Sequence, residues 1–336
     1  MTAREAGARV AVVGATGALG TEVLAALDGM RLPLRELVPI ASERSLGTDV
    51  EFRGEVIPIE TDLARLRGSD LALLCAPPAV ALEATALALR AQVPAIDLSG
   101  ALAARSEVPL ATGGLPPAEA EGEPLVAVPP GPALAWLRVL APIDRACPLR
   151  RVVTTALLSA SAAGRAGIGA LGEETVALLN QGDLPEPPAL GRPIAFDCLP
   201  WADALAADGT SGAETALAAT LRRALGREIG FALTLVRVPT FCGDAGALAL
   251  EFDAPAEPSR LLDLLRKTAG VEVAEGDEAP TPRAAADSDS VWVGRLRGDP
   301  SRPDGVLLWL AADSLKLAAL YAVQLAETRL AARARR

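Results

Sequence analysis

Histidine is absent from the 336 residues of the chain. Its side chain is the most common general acid or base in enzymes, because its pKa lies near neutrality. A zinc site is also disfavoured, because the four cysteines lie far apart and include no CxxC pair. We therefore expect no metal and no disulfide, and we interpret the cysteines as small apolar residues of the interior. These are Cys75, Cys147, Cys198 and Cys242.

Other shortages narrow the class of protein further. Aromatic residues make up 3% of the chain, and no apolar run reaches the roughly 18 uncharged residues of a membrane span. The first ten residues, MTAREAGARV, contain no apolar stretch, so we expect no secretory signal and a cytoplasmic location. A net charge of −10 argues against nucleic acid or an anionic membrane as a partner. The hydrophobic content of 51% is sufficient for the cores of two domains.

Apolar strand-like segments alternate with helix-like segments through the first 125 residues. This alternation predicts a parallel sheet covered by helices. Predicted strands are Val10–Val13, Leu37–Ala41, Glu55–Glu60, Leu71–Cys75 and Ala95–Leu98, and predicted helices lie near Thr21–Leu27 and Val80–Ala91. The glycine and proline content of Ala111–Pro124 predicts a loop.

Beyond Leu125 the pattern changes to longer strands mixed with helices, which indicates an α+β domain. We predict strands at Arg151–Leu158, Phe231–Pro239 and Ala247–Phe252, helices near Ala170–Leu179 and Glu214–Leu225, a surface loop at Val273–Ser290 and a long amphipathic helix at Ser314–Ala332.

The segment Val10–Gly20, VAVVGATGALG, is a short apolar run followed by Gly14, Gly17 and Gly20. Glycines at this spacing after a first strand are typical of dinucleotide-binding folds, where the backbone approaches a diphosphate at a helix N-terminus. The alternative is a tight strand–helix turn without a ligand. The candidate cofactor-binding residues here are Gly14, Ala15, Thr16, Gly17, Ala18, Leu19 and Gly20.

A second candidate cofactor segment, ASERSLG at Ala41–Gly47, follows the second strand. Arg44, flanked by Ser42 and Ser45, offers one fixed charge and two hydroxyls where the 2′-phosphate of NADP would lie. No acidic residue ends the strand to bind a free ribose hydroxyl, so the sequence favours NADP over NAD. The alternative is a solvated arginine on a loop.

Several motifs together resemble those of the aspartate-semialdehyde dehydrogenases. They are VGATGALG, ASERSLG, AIDLSGA, RVVTTALLSASAAGRAG, GRPIAFDCLP, RVPTFCGD and the ending VGRLR…LWLAADSLKLAALYAVQLAE, in the family's order. The resemblance implies an α/β fold, with a Rossmann-type NAD(P)-binding domain at 1–127 with 309–336 and an α+β catalytic and dimerisation-like domain at 128–308. It also implies a homodimer, and it places Gln324 near the nicotinamide.

Members of this family reduce β-aspartyl phosphate with NADPH through a cysteine thioester, with a histidine as acid/base. By this resemblance Gly131 stands at the nucleophile position, and Asp244 stands at the histidine position. Without a thiol at Gly131 no covalent intermediate can form there. Leu158 replaces a substrate-positioning glutamine. Ala103 replaces a phosphate-binding arginine, and Ala213 and Ala216 replace a charged pair.

Arg237 is retained at the family's substrate-binding arginine position. It is either a ligand contact or a structural ion pair with Asp244 or another carboxylate. Pro77 and Pro78 depart from the glycine pair that the family has after the third strand, and they lack N–H donors, which predicts weakened NADP binding. The resemblance predicts that Gly131, Arg237 and Asp244 converge on one cleft between the domains.

The leading interpretation is a non-catalytic paralogue of this family that binds NADP(H) or acts as a structural or regulatory partner. It would form a homodimer or associate with an active relative. The first alternative is an NADP-dependent oxidoreductase of another small carbonyl, with Asp244 or Tyr321 as proton donor. The second is ordinary aspartate-semialdehyde dehydrogenase activity.

Overall fold

The computed structural model describes residues 7–31, 33–112, 114, 122–186, 188–275 and 278–334. The chain divides into two compact units, one formed by the residues up to Pro130 and from Ala318 onwards, the other by Gly131–Leu317. The boundaries expected from the sequence differ from this division chiefly because Trp309–Ala312 pair within the second unit's sheet.

The first unit contains a five-stranded parallel sheet with the strand order β2-β1-β5-β6-β7. Its central strands are buried and apolar, as expected of a parallel sheet covered on both faces. The unit's elements are β1 (Ala8–Val13), α1 (Ala18–Asp28), β2 (Leu34–Ile40), β3 (Asp49–Phe52), β4 (Glu55–Pro58), β5 (Leu71–Leu74), α2 (Pro78–Arg90), β6 (Ala95–Asp97) and β7 (Leu125–Ala127).

One predicted strand has a different role in the first unit. The segment predicted at Glu55–Glu60 forms β4, which pairs with β3 as an antiparallel hairpin outside the parallel sheet. The predicted loop at 111–124 falls largely outside the described residues.

The second unit contains a six-stranded mixed sheet with the strand order β11-β12-β13-β10-β8-β9. Its elements are α3 (Ala133–Ala146), β8 (Leu149–Leu158), α4 (Gly164–Leu179), α5 (Gly212–Leu225), β9 (Gly230–Arg237), β10 (Asp244–Phe252), α6 (Pro258–Arg266), β11 (Val271–Val273), α7 (Pro282–Ala285), β12 (Val291–Gly298) and β13 (Gly305–Ala312). The predicted surface loop at Val273–Ser290 contains the short helix α7.

The last helix, α8 (Ser314–Ala334), occupies the predicted position. The prediction that it is amphipathic is wrong for its first half. Between Leu317 and Ala326 only Leu320 and Gln324 are not buried, so this part is apolar on nearly every side. A helix that is apolar all round belongs in a core rather than on a surface.

Candidate functional site

The glycine-rich loop connects the carboxyl end of β1 to the first turn of α1. The N–H groups of Gly14 and Ala15 donate to the Ile40 carbonyl at 2.7 and 3.0 Å. A Cβ on Gly14 (φ +89°) would lie 2.6 Å from the Ala76 nitrogen, and one on Gly20 would lie 2.1 Å from the Gly14 oxygen. Packing of the turn therefore requires both glycines.

No side chain caps α1 at Gly17, so its first-turn N–H groups are left for water or a ligand to satisfy. Thr16, Ala18 and Leu19 are half-buried, and Ala15 is buried. An anionic group is favoured at such a helix N-terminus, where the N–H groups and the helix dipole act together. The loop therefore fits the diphosphate of a dinucleotide.

The second predicted loop follows β2, the neighbour of β1 in the sheet. Ser42 and Arg44 are exposed, and Arg44 lies in a single helical turn, Glu43–Ser45. The hydroxyl oxygens of Thr16 and Ser45 are 3.0 Å apart and form a hydrogen bond. The structure thus joins the two predicted cofactor loops at the carboxyl edge of the sheet, which is where open α/β sheets bind nucleotides.

The loop after β5 carries the two prolines that the sequence singled out. Pro77 and Pro78 are exposed, and Pro78 is the first residue of α2, where its missing N–H is not needed by the helix. Burial, with the nearby Asp97 carboxylate, raises the pKa of the Cys75 thiol, so that thiol stays protonated. Gln324 is exposed on α8.

A cavity of about 450 Å³ lies at the opposite edge of the same sheet. Its walls include Leu71, Pro94 and Pro124, which begin or immediately precede β5, β6 and β7, together with Arg329 and Arg333 of α8. Because these are the amino ends of the strands, the cavity is separate from the two cofactor loops.

In the second unit, Asp244 is the first residue of β10 and is 5% exposed. Its carboxylate accepts hydrogen bonds from the Ser159 backbone N–H at 2.9 Å and from the Ser159 hydroxyl at 3.0 Å. Burial raises the pKa of Asp244, and the Ser314 hydroxyl together with the N–H and hydroxyl groups of Ser159 opposes that rise. The side chain therefore fastens the segment after β8 to the start of β10.

Arg237 ends β9, where it pairs with Leu158 of β8. Its Nε and Nη2 donate to the Ala202 carbonyl at 3.2 and 2.6 Å, while the buried Nη1 has no hydrogen-bond partner among the described residues. Burial lowers the pKa of Arg237, and Asp203 and Asp244 oppose that change. Among the described residues the Arg237 guanidinium donates to a backbone carbonyl and forms no ion pair within 4 Å, so its role as a ligand contact stays a prediction.

The structure thus brings Leu158, Arg237 and Asp244 together at the ends of three strands. Gly131 lies just before α3 with a φ of +55°, and a Cβ built on it would meet nothing within 4 Å. Its convergence with Arg237 and Asp244 stays a prediction.

The other positions of the resemblance occupy ordinary structural places. Ala103 is 2% exposed in the turn after β6, and Leu158 is 5% exposed. Ala213 and Ala216 lie on α5, where the Ala213 N–H donates to the Asp203 carboxylate at 3.1 Å.

Sequence reasoning missed two residues that shape these loops. Ser159 lies inside a motif already singled out, but its partner Asp244 is 85 residues away, so no local pattern reveals the bond. Asp97 is fully buried and accepts bonds from the Ser99 N–H at 2.9 Å, the Ser99 hydroxyl at 2.5 Å and the Leu102 N–H at 2.9 Å. The sequence DLSG at this point is a recognisable signal for such an Asx-type turn.

The predictions about disulfides and metal binding concern the cysteines and the other potential metal ligands of the chain. None of the four cysteines forms a disulfide within the described ranges, and Cys198 is exposed, so its interpretation as an interior residue is wrong. No group of three or more potential metal-ligating side chains occurs in the described ranges. No described helix is both long and apolar enough to cross a membrane.

Comparison with known proteins identifies both parts of the chain. Residues 9–121 match the family described as semialdehyde dehydrogenase, NAD binding domain. Residues 140–316 match the family described as semialdehyde dehydrogenase, dimerisation domain. The Rossmann-like fold and the second α/β domain predicted from the sequence are thereby confirmed.

Individual relatives resemble the chain along nearly its whole length. An aspartate-semialdehyde dehydrogenase of Synechocystis is 33% identical over 95% of this chain and 96% of its own. A protein of Pseudomonas aeruginosa described as a USG-1 protein homolog is also 33% identical, with the same coverage. The crystal structure of aspartate semialdehyde dehydrogenase II from Vibrio cholerae matches with a TM-score of 0.89 at 32% identity, over 97% of this chain and 99% of that one. The chain therefore belongs to the aspartate-semialdehyde dehydrogenase family.

Proposed function

We propose that this protein binds NADP(H) but does not catalyse the reaction of the parent family, and that it acts as a structural or regulatory member of it. The observation that carries the proposal is the pair Gly131 and Asp244. Gly131 has no side chain, and the Asp244 carboxylate is buried in hydrogen bonds to Ser159. Neither residue can perform the task that its position implies.

A covalent mechanism needs an activated nucleophile and an adjacent base. Gly131 supplies no nucleophilic atom. Both hydrogen bonds from Ser159 go to Asp244 Oδ1, and the residue is only 5% exposed, so its carboxyl group offers little accessible surface for proton exchange with a substrate. The thiol of Cys75 is an unsuitable replacement, because burial raises its pKa.

Cofactor binding is supported by the geometry of the first unit and by its match to an NAD-binding domain. The N–H groups of the first turn of α1 would bind the diphosphate, and Arg44 with Ser42 and Ser45 would bind the 2′-phosphate. NADP(H), when bound, would supply the hydride of any reduction. Pro77 and Pro78 offer no N–H donors, so we expect weaker binding than in a relative with glycines there.

Two observations weigh against the alternative of a reductase acting on another small carbonyl. Its candidate proton donors are Asp244 and Tyr321, and both side chains are buried. Nη1 of Arg237, which has no partner among the described residues, could donate a hydrogen bond to the carboxylate of a bound anion, so binding of a small acid without turnover agrees with the main proposal.

The test is calorimetric titration with NADPH and NADH, followed by an assay of hydride transfer with aspartate semialdehyde, phosphate and NADP⁺. An active relative, measured in parallel, provides the positive control. We expect NADPH to bind and no turnover above background. Turnover comparable with that of the active relative would overturn the proposal, whereas turnover of a different aldehyde would favour the reductase. If neither nucleotide binds at millimolar concentration, the proposal that the protein binds NADP(H) is wrong.

A further inference from the structure

The hydrogen bond between Thr16 and Ser45 connects two loops that otherwise belong to different strand–helix turns. Thr16 lies in the glycine-rich loop after β1, and Ser45 lies 29 residues later in the turn after β2. The contact joins side chain to side chain and is partly buried, so it restrains both hydroxyls against free rotation in water.

Ser45 also fixes the backbone of the turn that carries Arg44. Its N–H donates to the Ser42 carbonyl at 2.9 Å, and its own carbonyl accepts the Thr48 N–H at 3.1 Å and the Thr48 hydroxyl at 2.7 Å. Arg44 lies between these anchors and is exposed. The hydrogen bond from Thr16 therefore restrains Ser45, the residue whose backbone bonds fix the conformation of this turn.

We propose that Thr16 is a positioning residue for recognition of the cofactor's 2′-phosphate, acting through Ser45. This inference rests on the proposed binding of NADP(H). Phosphate oxygens accept hydrogen bonds, so Ser45 must donate its hydroxyl proton to them, and its lone pair is then available to accept the proton of Thr16. The Thr16 hydroxyl would in this way orient the Ser45 hydroxyl towards the phosphate and keep the Arg44 turn against the glycine-rich loop.

The test compares NADPH with NADH, which differ only in the 2′-phosphate. Dissociation constants for both are measured by calorimetry on the full chain, as wild type and as Thr16→Val, Thr16→Ser, Ser45→Ala and the Thr16→Val/Ser45→Ala double variant. Valine has the shape of threonine without its hydroxyl. If Thr16 instead contacted the diphosphate, its substitution would weaken the binding of both nucleotides equally. The ratio of the two dissociation constants would then stay unchanged.

We expect Thr16→Val to reduce the preference for NADPH by about threefold to tenfold, the effect of one hydrogen bond. Thr16→Ser should keep the preference, because it keeps the hydroxyl. In the Ser45→Ala background Thr16→Val should change the preference no further, since the partner is already missing. If Thr16→Val does not fold, Thr16→Ala provides the same comparison.

The outcomes separate this inference from the proposed function. A wild-type preference for NADPH that Thr16→Val and Thr16→Ala leave unchanged would overturn the inference alone. The same holds if Thr16→Val reduces the preference equally with and without the Ser45 hydroxyl. A wild type that binds both nucleotides equally would overturn the inference and the NADP preference. A wild type that binds neither would overturn the inference together with the cofactor part of the proposed function.

Discussion

Among single residues, Asp244 shows how a position associated with chemistry can be used for structure. Its carboxylate is buried and accepts both the backbone and the side-chain bond of Ser159. A buried acid with these partners resists removal, because the Ser159 N–H would be left without an acceptor. It also resists ionisation, because burial raises its pKa.

This raised pKa predicts a pH-dependent effect of Asp244→Asn. A folded-state pKa above the unfolded value near 3.9 contributes stability that is fully present below that value and is lost as pH rises through the folded pKa. Asparagine keeps an oxygen acceptor for Ser159 and carries no charge. We therefore expect Asp244→Asn to raise the melting temperature at pH 7, by about 2–4 °C for each 1 kcal/mol gained. The difference should shrink towards pH 4, as followed by circular dichroism.

Asp208 provides the matched control for that prediction. It is exposed, and bonds from the Thr210 hydroxyl and N–H lower its pKa. The charged form of Asp208 therefore stabilises the fold above the unfolded pKa, and this contribution is lost as pH falls. Asp208→Asn should not raise the melting temperature at any pH. An equal increase in both variants at pH 7 would contradict our account of Asp244.

A second prediction at this scale concerns restoration of the two family positions. We expect the double variant Gly131→Cys/Asp244→His to remain on the order of 10³-fold or more below an active relative in hydride transfer. Gly131 has a φ of +55°, which strains a cysteine there, although its Cβ would have open space. The variant would also still have Ala103, Leu158 and Ala216 at positions where the family has polar or charged side chains, so substrate binding would not be restored. Recovery of activity within tenfold of the relative would contradict this expectation.

Among the elements, the turn from β1 to α1 is the one whose packing depends on glycine. A Cβ on Gly20 would lie 2.1 Å from the Gly14 oxygen, whereas one on Gly29, at the other end of α1, would be 3.6 Å from the nearest atom. We expect Gly20→Ala to lower the stability of the first unit by about 1–3 kcal/mol and to abolish nucleotide binding. Gly29→Ala should be close to neutral. Thermal unfolding and NADPH titration of the two variants check this, and equal effects would contradict it.

The elements also show what the sequence could predict. The buried strand Leu71–Leu74 is predicted by its apolar run, and the helix predicted near Glu214–Leu225 forms at Gly212–Leu225. The hairpin of β3 and β4 could not be distinguished from a sheet strand, because a short alternating segment does not specify its partner. The bonds of Asp244 to Ser159 and of Arg237 to Ala202 join distant segments, so only the folded chain reveals them.

Over the whole molecule, the outer face of the second unit's sheet is the feature that predicts assembly. Thr155 and Ala247 are exposed there, and Leu307 and Trp309 are only partly covered. A shallow cavity of about 280 Å³ on this face is also lined by Arg295 and Arg297. Residues 140–316, which include this sheet, match the semialdehyde dehydrogenase dimerisation domain. We propose that this face pairs with a second copy, since obligate interfaces bury about 2,000 Å² or more of total surface and are more hydrophobic than transient ones.

Light scattering at low micromolar concentration tests this assembly. We expect a dimer for the wild type and a shift towards monomer or aggregate for Ala247→Arg, which places a charge at the centre of the face next to two arginines. Ala219→Arg, on the exposed surface of α5, should remain dimeric. A stable wild-type monomer would exclude both the homodimer and association with an active relative through this face.

The division of the chain has a consequence for its synthesis. The first unit needs α8, whose Glu327 carboxylate accepts the Arg31 N–H across 296 residues of sequence. On the ribosome, every strand of the second sheet emerges before that helix does. The second unit can therefore complete its fold first, while the glycine-rich loop and the strands of the first unit remain without α8 until that helix has been translated. A nascent chain arrested before Ala318 should accordingly expose the unfinished parallel sheet to chaperones and proteases.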